Sequence, residues 1–465
     1  MSNVLLIDFG STYTKITAVD LNTETVLGTA HGITTVDTDI TEGLNQALSS
    51  LFAQTGRLEF ARTLACSSAA GGLKMVAVGL VPEMTAEAAK RAALGAGAKV
   101  LGVFCHELSE YEVAEIEKLT PDIILLAGGT DGGNKTVILH NAAMLVQLKR
   151  DVPVVVAGNK SVTPQVVSIL AGSKTEVVHT ENVMPRLNEL NIEPARQKIR
   201  DLFLRKIVDA KGLNKASQIV DRMVMPTPAA VLRAAELLSC GTKQEAGLGD
   251  LMVLDIGGAT TDVYSIAKGD PTKGGVMLKG LPEPLAKRTV EGDLGMRYSA
   301  SALLKASGPA MIAGRSGVLE QAVTDYVAKI EKDIEYLPAN QAEEKLEVGM
   351  GWTCTRLAVD RHAGTLETHY TPFGSAFVQT GKDLTAVETV VGTGGVIINN
   401  PRAEEILNGV LFDPAEPAVL KPQAPAFLID EKYIMAAMGL LAEEHPDIAL
   451  RMMKKYIVRR SKEWN

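Results

Sequence analysis

The sequence predicts an α/β protein of two halves facing each other, and three features predict it. The first half opens on an apolar strand that ends in Asp8 and turns through Gly10, Ser11 and Thr12 into a second strand near Lys15, VLLIDFGSTYTKIT. The second half repeats this device in LMVLDIGGATTDVYSI at residues 251–266, where Asp255 ends one strand and Gly257, Gly258, Ala259, Thr260 and Thr261 lead to the next. Between the two, residues 85–179 alternate helix and strand. That alternation implies a parallel sheet covered on both faces. The expected organisation is a first domain at 1–242, with its α/β region at about 85–190, a second at 243–425, and closing helices at 426–465.

The bulk chemistry fits such a protein. Hydrophobic residues make up 46% and charged residues 22%, ordinary values for a soluble globular chain. A net charge of −8 argues against nucleic-acid or anionic-membrane partners, which call for a basic balance. Aromatics are 4%, too few for base-stacking platforms. Cys66, Cys105, Cys240 and Cys354 form no C-x-x-C pair and read as buried, reduced thiols of a cytosolic protein. The N-terminus lacks a basic region and Asp8 interrupts its apolar run, so no signal peptide is expected. No apolar run approaches the ~18 residues of a membrane span. The expected location is cytoplasmic.

The elements follow in order. Residues 4–7, 15–19 and 25–31 are strands. Residues 41–52 form a helix because Leu44, Ala47, Leu48 and Leu51 recur at helical spacing. A short strand at 63–67 ends in Cys66, Ser67 and Ser68 and is followed by Gly71 and Gly72, with one more strand at 75–80. Helices are expected at 85–95, 111–119, 135–149 and 164–171, and strands at 100–105, 122–127, 152–157 and 175–179. Ligands bind at the carboxyl ends of strands in such sheets. The loop at 128–133 is therefore either a ligand contact or a tight strand-to-helix turn. Residues 194–211 form an amphipathic helix with Ile199, Leu202, Phe203 and Ile207 on one stripe. Thr227 and Pro228 open a helix through Leu238 that Gly241 stops, and 243–250 is a linker. After the second hairpin, 274–278 has β character, 282–288 is rich in proline and charge, and 291–295 (EGDLG) enters a helix at 298–306. That entry could meet a ligand, or Asp293 could simply cap the helix. Helices at 318–336 and 342–359 precede a strand leading into Gly392, Thr393, Gly394 and Gly395. A proline-rich loop at 415–425 and helices at 430–442 and 445–458 close the chain. The basic end, Lys454, Lys455, Arg459 and Arg460, suits a helix C-terminus.

The chemistry lies in three pieces: Asp8 to Lys15, Asp255 to Asp262, and Gly392 to Gly395. Transfer of a γ-phosphate needs positioning and charge neutralisation more than covalent chemistry. Glycine turns offer amides to phosphate, and a lysine can pair with a phosphate oxygen. Two opposed carboxylates suit Mg²⁺, which keeps several waters, and one of them can orient the attacking water. Each piece alone is an ordinary glycine-rich turn; the ordered trio points to nucleotide binding. No Walker A motif is present in the sequence.

With these residues the chain resembles the superfamily of actin, sugar kinases and heat-shock chaperone ATPases. The resemblance implies two actin-like domains around a cleft that closes on ATP, with the final helix returning to the first. It implies Asp8 and Asp255 as the catalytic and Mg²⁺-binding carboxylates. It also implies that Ser11, Thr12 and Lys15 lie on one side of the phosphates, with Gly257, Gly258, Thr260 and Thr261 on the other and Gly392, Gly394 and Gly395 beneath the adenosine.

A narrower resemblance spans nearly the whole chain. DFGSTYTK, SSAAGGLKM, LLAGGTDGGN, PTPAAVLRAAELL, LDIGGATTDV, RTVEGDLGMR and VVGTGGV are similar to the accessory proteins of glutamate (methylaspartate) mutase. The resemblance implies a reactivating ATPase that uses ATP to release damaged cobalamin from an adenosylcobalamin-dependent mutase, or to load intact cofactor. Mutase subunits are the implied partners. A small-molecule kinase and an actin-like filament protein are the competing readings. A reductive activator holding an iron–sulfur cluster is disfavoured by the scattered cysteines.

Overall fold

The computed structural model describes residues 2–10, 13–34, 40–68, 73–173, 175–210, 220–372 and 374–459. Ser11, Thr12, Gly71, Gly72 and Arg460, and the last residue of the helix expected at 194–211, lie outside them. The chain divides into two compact units. The first is Met1–Ala234 with Gly280–Pro282 and Ala436–Ala449; the second is Ala235–Lys279, Glu283–Met435 and Leu450–Asn465.

In the first unit, β1 (Asn3–Phe9), β2 (Tyr13–Asp20), β3 (Thr25–Ile33) and β4 (Arg62–Ser67) come early. They are followed by β5 (Lys74–Gly79), β6 (Lys99–Cys105), β7 (Ile123–Leu126), β8 (Val154–Val156), β9 (Val177–His179) and β10 (Arg222–Pro226). One sheet has the order β10-β4-β1-β2-β3, antiparallel through β1, β2 and β3 and parallel through β1, β4 and β10. The other, β6-β5-β7-β8-β9, is wholly parallel and is inserted between β4 and β10.

Side-chain alternation sorts the inserted sheet into two faces. Met75, Ala77, Ile123, Leu125 and Val155 join the core that also buries Leu5, Ile7 and Phe9 of β1. The helices Glu87–Gly95 and Glu193–Ala210 complete that core with Ala88, Ala92, Ile199 and Leu202. Val76, Val78, Ile124, Leu126 and Val156 point the other way, into a separate core with the helices Glu110–Leu119, Thr136–Leu145 and Thr163–Leu170.

In the second unit the strands are β11 (Leu251–Ile256), β12 (Thr261–Ile266), β13 (Val276–Lys279), β14 (Ala286–Glu291) and β15 (Thr365–Thr371). Four more follow: β16 (Gly374–Thr380), β17 (Thr389–Thr393), β18 (Ala426–Asp430) and β19 (Ile457–Val458). The main sheet runs β14-β12-β11-β17-β18-β19, and β13-β16-β15 form a small second sheet. Helices Ala300–Ser307, Glu320–Lys332 and Gln341–His362 pack on the main sheet through Leu303, Val327, Ile330 and Cys354.

The main sheets repeat one topology. Counting the strands of each in chain order, the first runs 3-2-1-4-5 and the second 3-2-1-4-5-6; in both, strands 1 to 3 are antiparallel and strands 4 and 5 parallel to the first, and the second sheet adds β19 antiparallel at its edge. The expected fold class stands: two actin-like α/β units, with a wholly parallel sheet in the first half.

Several local expectations change. Of residues 282–288, the last three enter β14, where Arg288 is buried against Asp262. Residues 426–430 form β18, so the helix expected from 430 begins at Met435. The last helix, Pro446–Tyr456, gives way to β19 instead of continuing to 458. Cys66 and Cys354 are buried, and burial pushes the Cys354 thiol up to about 12, but Cys105 is half-buried and Cys240 is exposed. Among the described residues no helix is long and apolar enough to cross a membrane.

Candidate functional site

The first turn joins β1 to β2, which pair Asp8 with Lys15. The Gly10 N–H donates to the carbonyls of Asp8 (3.0 Å) and Tyr13 (3.1 Å). A Cβ at Gly10 would lie 2.6 Å from the Tyr13 oxygen, so the turn itself requires glycine. Lys15 Nζ stands 3.9 Å from Asp8 Oδ2. The other carboxylate oxygen, Oδ1, accepts from Thr227 Oγ1 at 2.5 Å and lies 3.6 Å from Cys66 Sγ. Burial first, and then the Asp8 carboxylate, push the Cys66 thiol well up.

The second turn joins β11 to β12. Asp255 stands opposite Asp262, and the Gly257 N–H closes the turn on the Thr260 carbonyl at 2.9 Å. Neither Gly257 nor Gly258 has a positive φ. What crowds this turn is the 291–299 segment laid across it. Met296 N–H donates to Gly257 O (3.1 Å), Arg297 N–H to Gly258 O (2.8 Å) and Ser299 Oγ to Ala259 O (2.7 Å). A Cβ at Gly295 would come within 2.5 Å of the Ala259 carbonyl carbon. The EGDLG entry is thus a buttress. Asp293 caps no helix; Arg361 holds it by two bonds of 2.7 and 2.9 Å, which keeps its carboxyl below the usual range. Thr261 is buried and donates its hydroxyl to Leu294 O at 2.6 Å, so it has no proton left for a phosphate. Thr260 remains half-exposed and donates to Asp262 Oδ2 at 3.3 Å. Asp262 is in turn anchored by buried Arg288 at 2.7 Å. The N–H groups of Gly258 and Ala259 meet no acceptor among the described residues.

The third turn lies beside the second. β11 and β17 are parallel neighbours that set Asp255 opposite Thr393. Gly394 has φ +91°, and a Cβ there would sit 2.6 Å from Asp255 Oδ1 and 2.5 Å from the Ile256 carbonyl oxygen. Thr393 turns inward: it is buried and donates to Asp430 Oδ2 at 3.0 Å, while Asp430 accepts the N–H groups of Ile434 (2.8 Å) and Met435 (3.0 Å). Gly392 is also a packing residue, since a Cβ would meet Ile397 and Leu407 at 2.9 Å. Gly395 is exposed at the start of the short helix Gly395–Ile398.

The second unit therefore brings Asp255, Gly257, Gly258, Ala259, Thr260, Gly394 and Gly395 to the carboxyl ends of two adjacent parallel strands. Thr261, Gly392 and Thr393 face the interior. The loop at 128–133 is braced from below. Asn159 accepts the Gly132 N–H (3.0 Å) and donates to Asn134 O (3.0 Å), and Asn182 donates to Gly129 O and Asp131 (both 3.0 Å).

A family model described as MutL protein matches residues 4–457. Protein MutL of Clostridium tetanomorphum is 52% identical over 468 residues, covering 99% of this chain and 100% of that protein. The chain belongs to the MutL protein family. Solved structures resemble this MutL family member only loosely. A gluconate kinase from Lactobacillus acidophilus covers 98% of this chain and 92% of its own at 9% identity and a TM-score of 0.38. A Plasmodium falciparum glycerol kinase with ADP covers 100% and 93% at 10% identity and 0.36. The fold assignment rests instead on the duplicated strand order.

Sequence reasoning missed two residues of this MutL family member's first turn. Thr227 showed only as a helix start and Cys66 only as a core thiol, because nothing in the chain links positions 219 residues apart until β1, β4 and β10 line up.

Proposed function

We propose that this protein is a slow ATPase serving as the accessory, reactivating partner of an adenosylcobalamin-dependent glutamate (methylaspartate) mutase. The observation that carries the nucleotide reading is the duplication. The first strand of each unit's main sheet carries an aspartate as its penultimate residue, just before a tight glycine turn, at Asp8 with Gly10 and at Asp255 with Gly257. The accessory role is supported by family membership and by the motif resemblance.

The residues divide the work. Gly258 and Ala259 offer N–H groups to phosphate oxygens, and the half-exposed Thr260 hydroxyl joins them by giving up its long 3.3 Å bond to Asp262. Lys15 supplies a positive charge from the first turn. Gly394, flat against Asp255, provides the surface for the adenosine. Asp255 orients and accepts a proton from the attacking water. Among the described residues no three His, Cys, Asp or Glu side chains form a metal cage. Single hard carboxylates still fit Mg²⁺, which binds through one or two carboxylates and retains waters. Asp8 and Asp255 would hold it, where it would neutralise phosphate charge.

The test is ATP hydrolysis by the purified protein, alone and with cobalamin-inactivated mutase plus fresh adenosylcobalamin. Slow basal turnover and ATP-dependent recovery of mutase activity are expected, with Asp255→Ala folded but inactive. Wild-type turnover in Asp255→Ala would remove Asp255 from the chemistry. Nucleotide turnover without rescue would leave an ATPase and refute the mutase partner.

A further inference from the structure

We propose that Thr227 is the positioning residue of Asp8: its hydroxyl occupies one carboxylate oxygen, Oδ1, and so presents the other, Oδ2, for work. The effect on turnover rests on the nucleotide reading above; the orientation of Asp8 rests on geometry alone.

The strands make the contact. β1, β4 and β10 are adjacent and parallel, with Asp8 opposite Cys66 and Pro226 opposite Ser67. The chain passes from Pro226 directly into the helix Thr227–Cys240. Its first residue thereby stands over the end of β1. Thr227 Oγ1 lies 2.5 Å from Asp8 Oδ1 and 3.7 Å from Cys66 Sγ. One hydroxyl proton serves one acceptor, and an ionised carboxylate only accepts. The shorter contact takes it, and the Cys66 thiol points at the same Oδ1 from 3.6 Å. Oδ2 is left facing Lys15.

The support behind Thr227 is rigid. A Cβ at Gly97 would lie 2.9 Å from Pro226 Cβ and 3.2 Å from Ala229 N. A Cβ at Gly439 would overlap the Ala230 carbonyl. Two distant segments thus close on the first turn of this helix. These contacts hold the segment that carries Thr227, so its backbone stays in place if the Asp8 carboxylate rotates and the 2.5 Å bond favours the observed orientation.

Two substitutions separate positioning from packing. Thr227→Val keeps the branched shape and loses the hydroxyl; Thr227→Ser keeps the hydroxyl and loses the methyl. Thr227→Val is expected to lower kcat for ATP about 10- to 100-fold, the effect of a lost hydrogen bond to a charged group. The KM for ATP should change less than about threefold, because the lost interaction orients a group and does not hold the nucleotide. Thr227→Ser should recover most of the rate. The opposite pattern, an impaired Ser variant and an unimpaired Val variant, would assign Thr227 to packing and overturn the proposal. Crystal structures of both variants give a readout independent of ATP. Asp8 should turn in Thr227→Val and stay in place in Thr227→Ser, and an unmoved Asp8 in Thr227→Val would overturn the proposal whatever the rates. A wild-type protein without ATP turnover, in which Asp8 still turns when the hydroxyl is removed, would sink the nucleotide reading and uphold the positioning bond.

Discussion

Gly394→Ala perturbs the point where the second and third turns touch. The added Cβ would lie 2.5 Å from Ile256 O, 2.6 Å from Asp255 Oδ1 and 2.8 Å from Ile256 N. Two of these atoms are backbone at the end of β11 and cannot swing aside. The φ of +91° adds a separate penalty. The pair φ +91°, ψ +149° lies next to a region used almost only by glycine, which costs an alanine about 1–3 kcal/mol, and overpacking a tight site costs about 1–3 kcal/mol, so the variant should lose about 2–6 kcal/mol. For a unit of this size that corresponds to a fall in Tm of about 4–24 °C. Asp255 must also be displaced, so ATP affinity should fall with stability. Gly395→Ala is the control one residue away. Its Cβ would meet only Asn399 Nδ2, at 3.9 Å. Alanine in the short helix starting there should be neutral, or stabilising by up to about 1 kcal/mol. Calorimetric unfolding of both variants, with ATP titration calorimetry, makes the comparison. A Gly394→Ala protein that unfolds and binds ATP like wild type, or a Gly395→Ala protein damaged equally, would refute the packing of the two turns.

Gly258→Val should fold and lose nucleotide. A Cβ there would meet Arg297 and Tyr298 at 3.4–3.5 Å, which the fold tolerates, so an unchanged ATP affinity would remove this turn from the site. His362 predicts a pH dependence of stability. It is buried between Ser265 Oγ and Thr289 Oγ1, both at 2.8 Å, and burial, followed by the charges of Lys287 and Lys382, holds its pKa well below 6.5. Below that value the unfolded chain binds a proton that the folded chain refuses. Stability should therefore be complete above about pH 6.5 and fall as pH drops, with a contribution from this group approaching about 1.4 kcal/mol per pH unit. Chemical denaturation at several pH values should show a shallower slope in His362→Gln; identical slopes would contradict the assignment.

The alternation of apolar runs and helical stripes made the inserted sheet legible, and strands such as β7 and β8 are buried throughout, as continuous Ile, Leu and Val runs require. The Asp-ended hairpins were legible because the turn residues sit between two β-prone runs. What the chain order hides is burial direction. Thr260 and Thr261 look equivalent in sequence, yet pleating sends Thr261 inward to Leu294 and leaves Thr260 half-exposed. β14 was obscured because its Arg288 and Lys287 read as surface charge, although Arg288 is buried on Asp262. The β15–β16 hairpin carries many polar residues and little core, so it gave no hydrophobic period to detect. Thr227 was legible as a helix start but its partner Asp8 was not, since that contact exists only after strand order is set.

The inserted parallel sheet has a consequence for modularity. An insertion between β4 and β10 looks like a cassette that could be excised or exchanged. Its two faces have different loyalties, however. One closes over its own three helices, while the other supplies Met75, Ala77, Leu125 and Val155 to the core beneath β1. Excision would strip an apolar floor from the strand that carries Asp8, and the excised piece would carry the matching face into water. The alanines of the helix between them, Ala88, Ala89, Ala92 and Ala93, are all buried there, small enough for the layers to approach closely. Such a seam admits no foreign replacement without redesign of both sides. The insert and the sheet that carries Asp8 are thus obliged to vary together, and grafting this region between distant homologues should fail at folding before it fails at function.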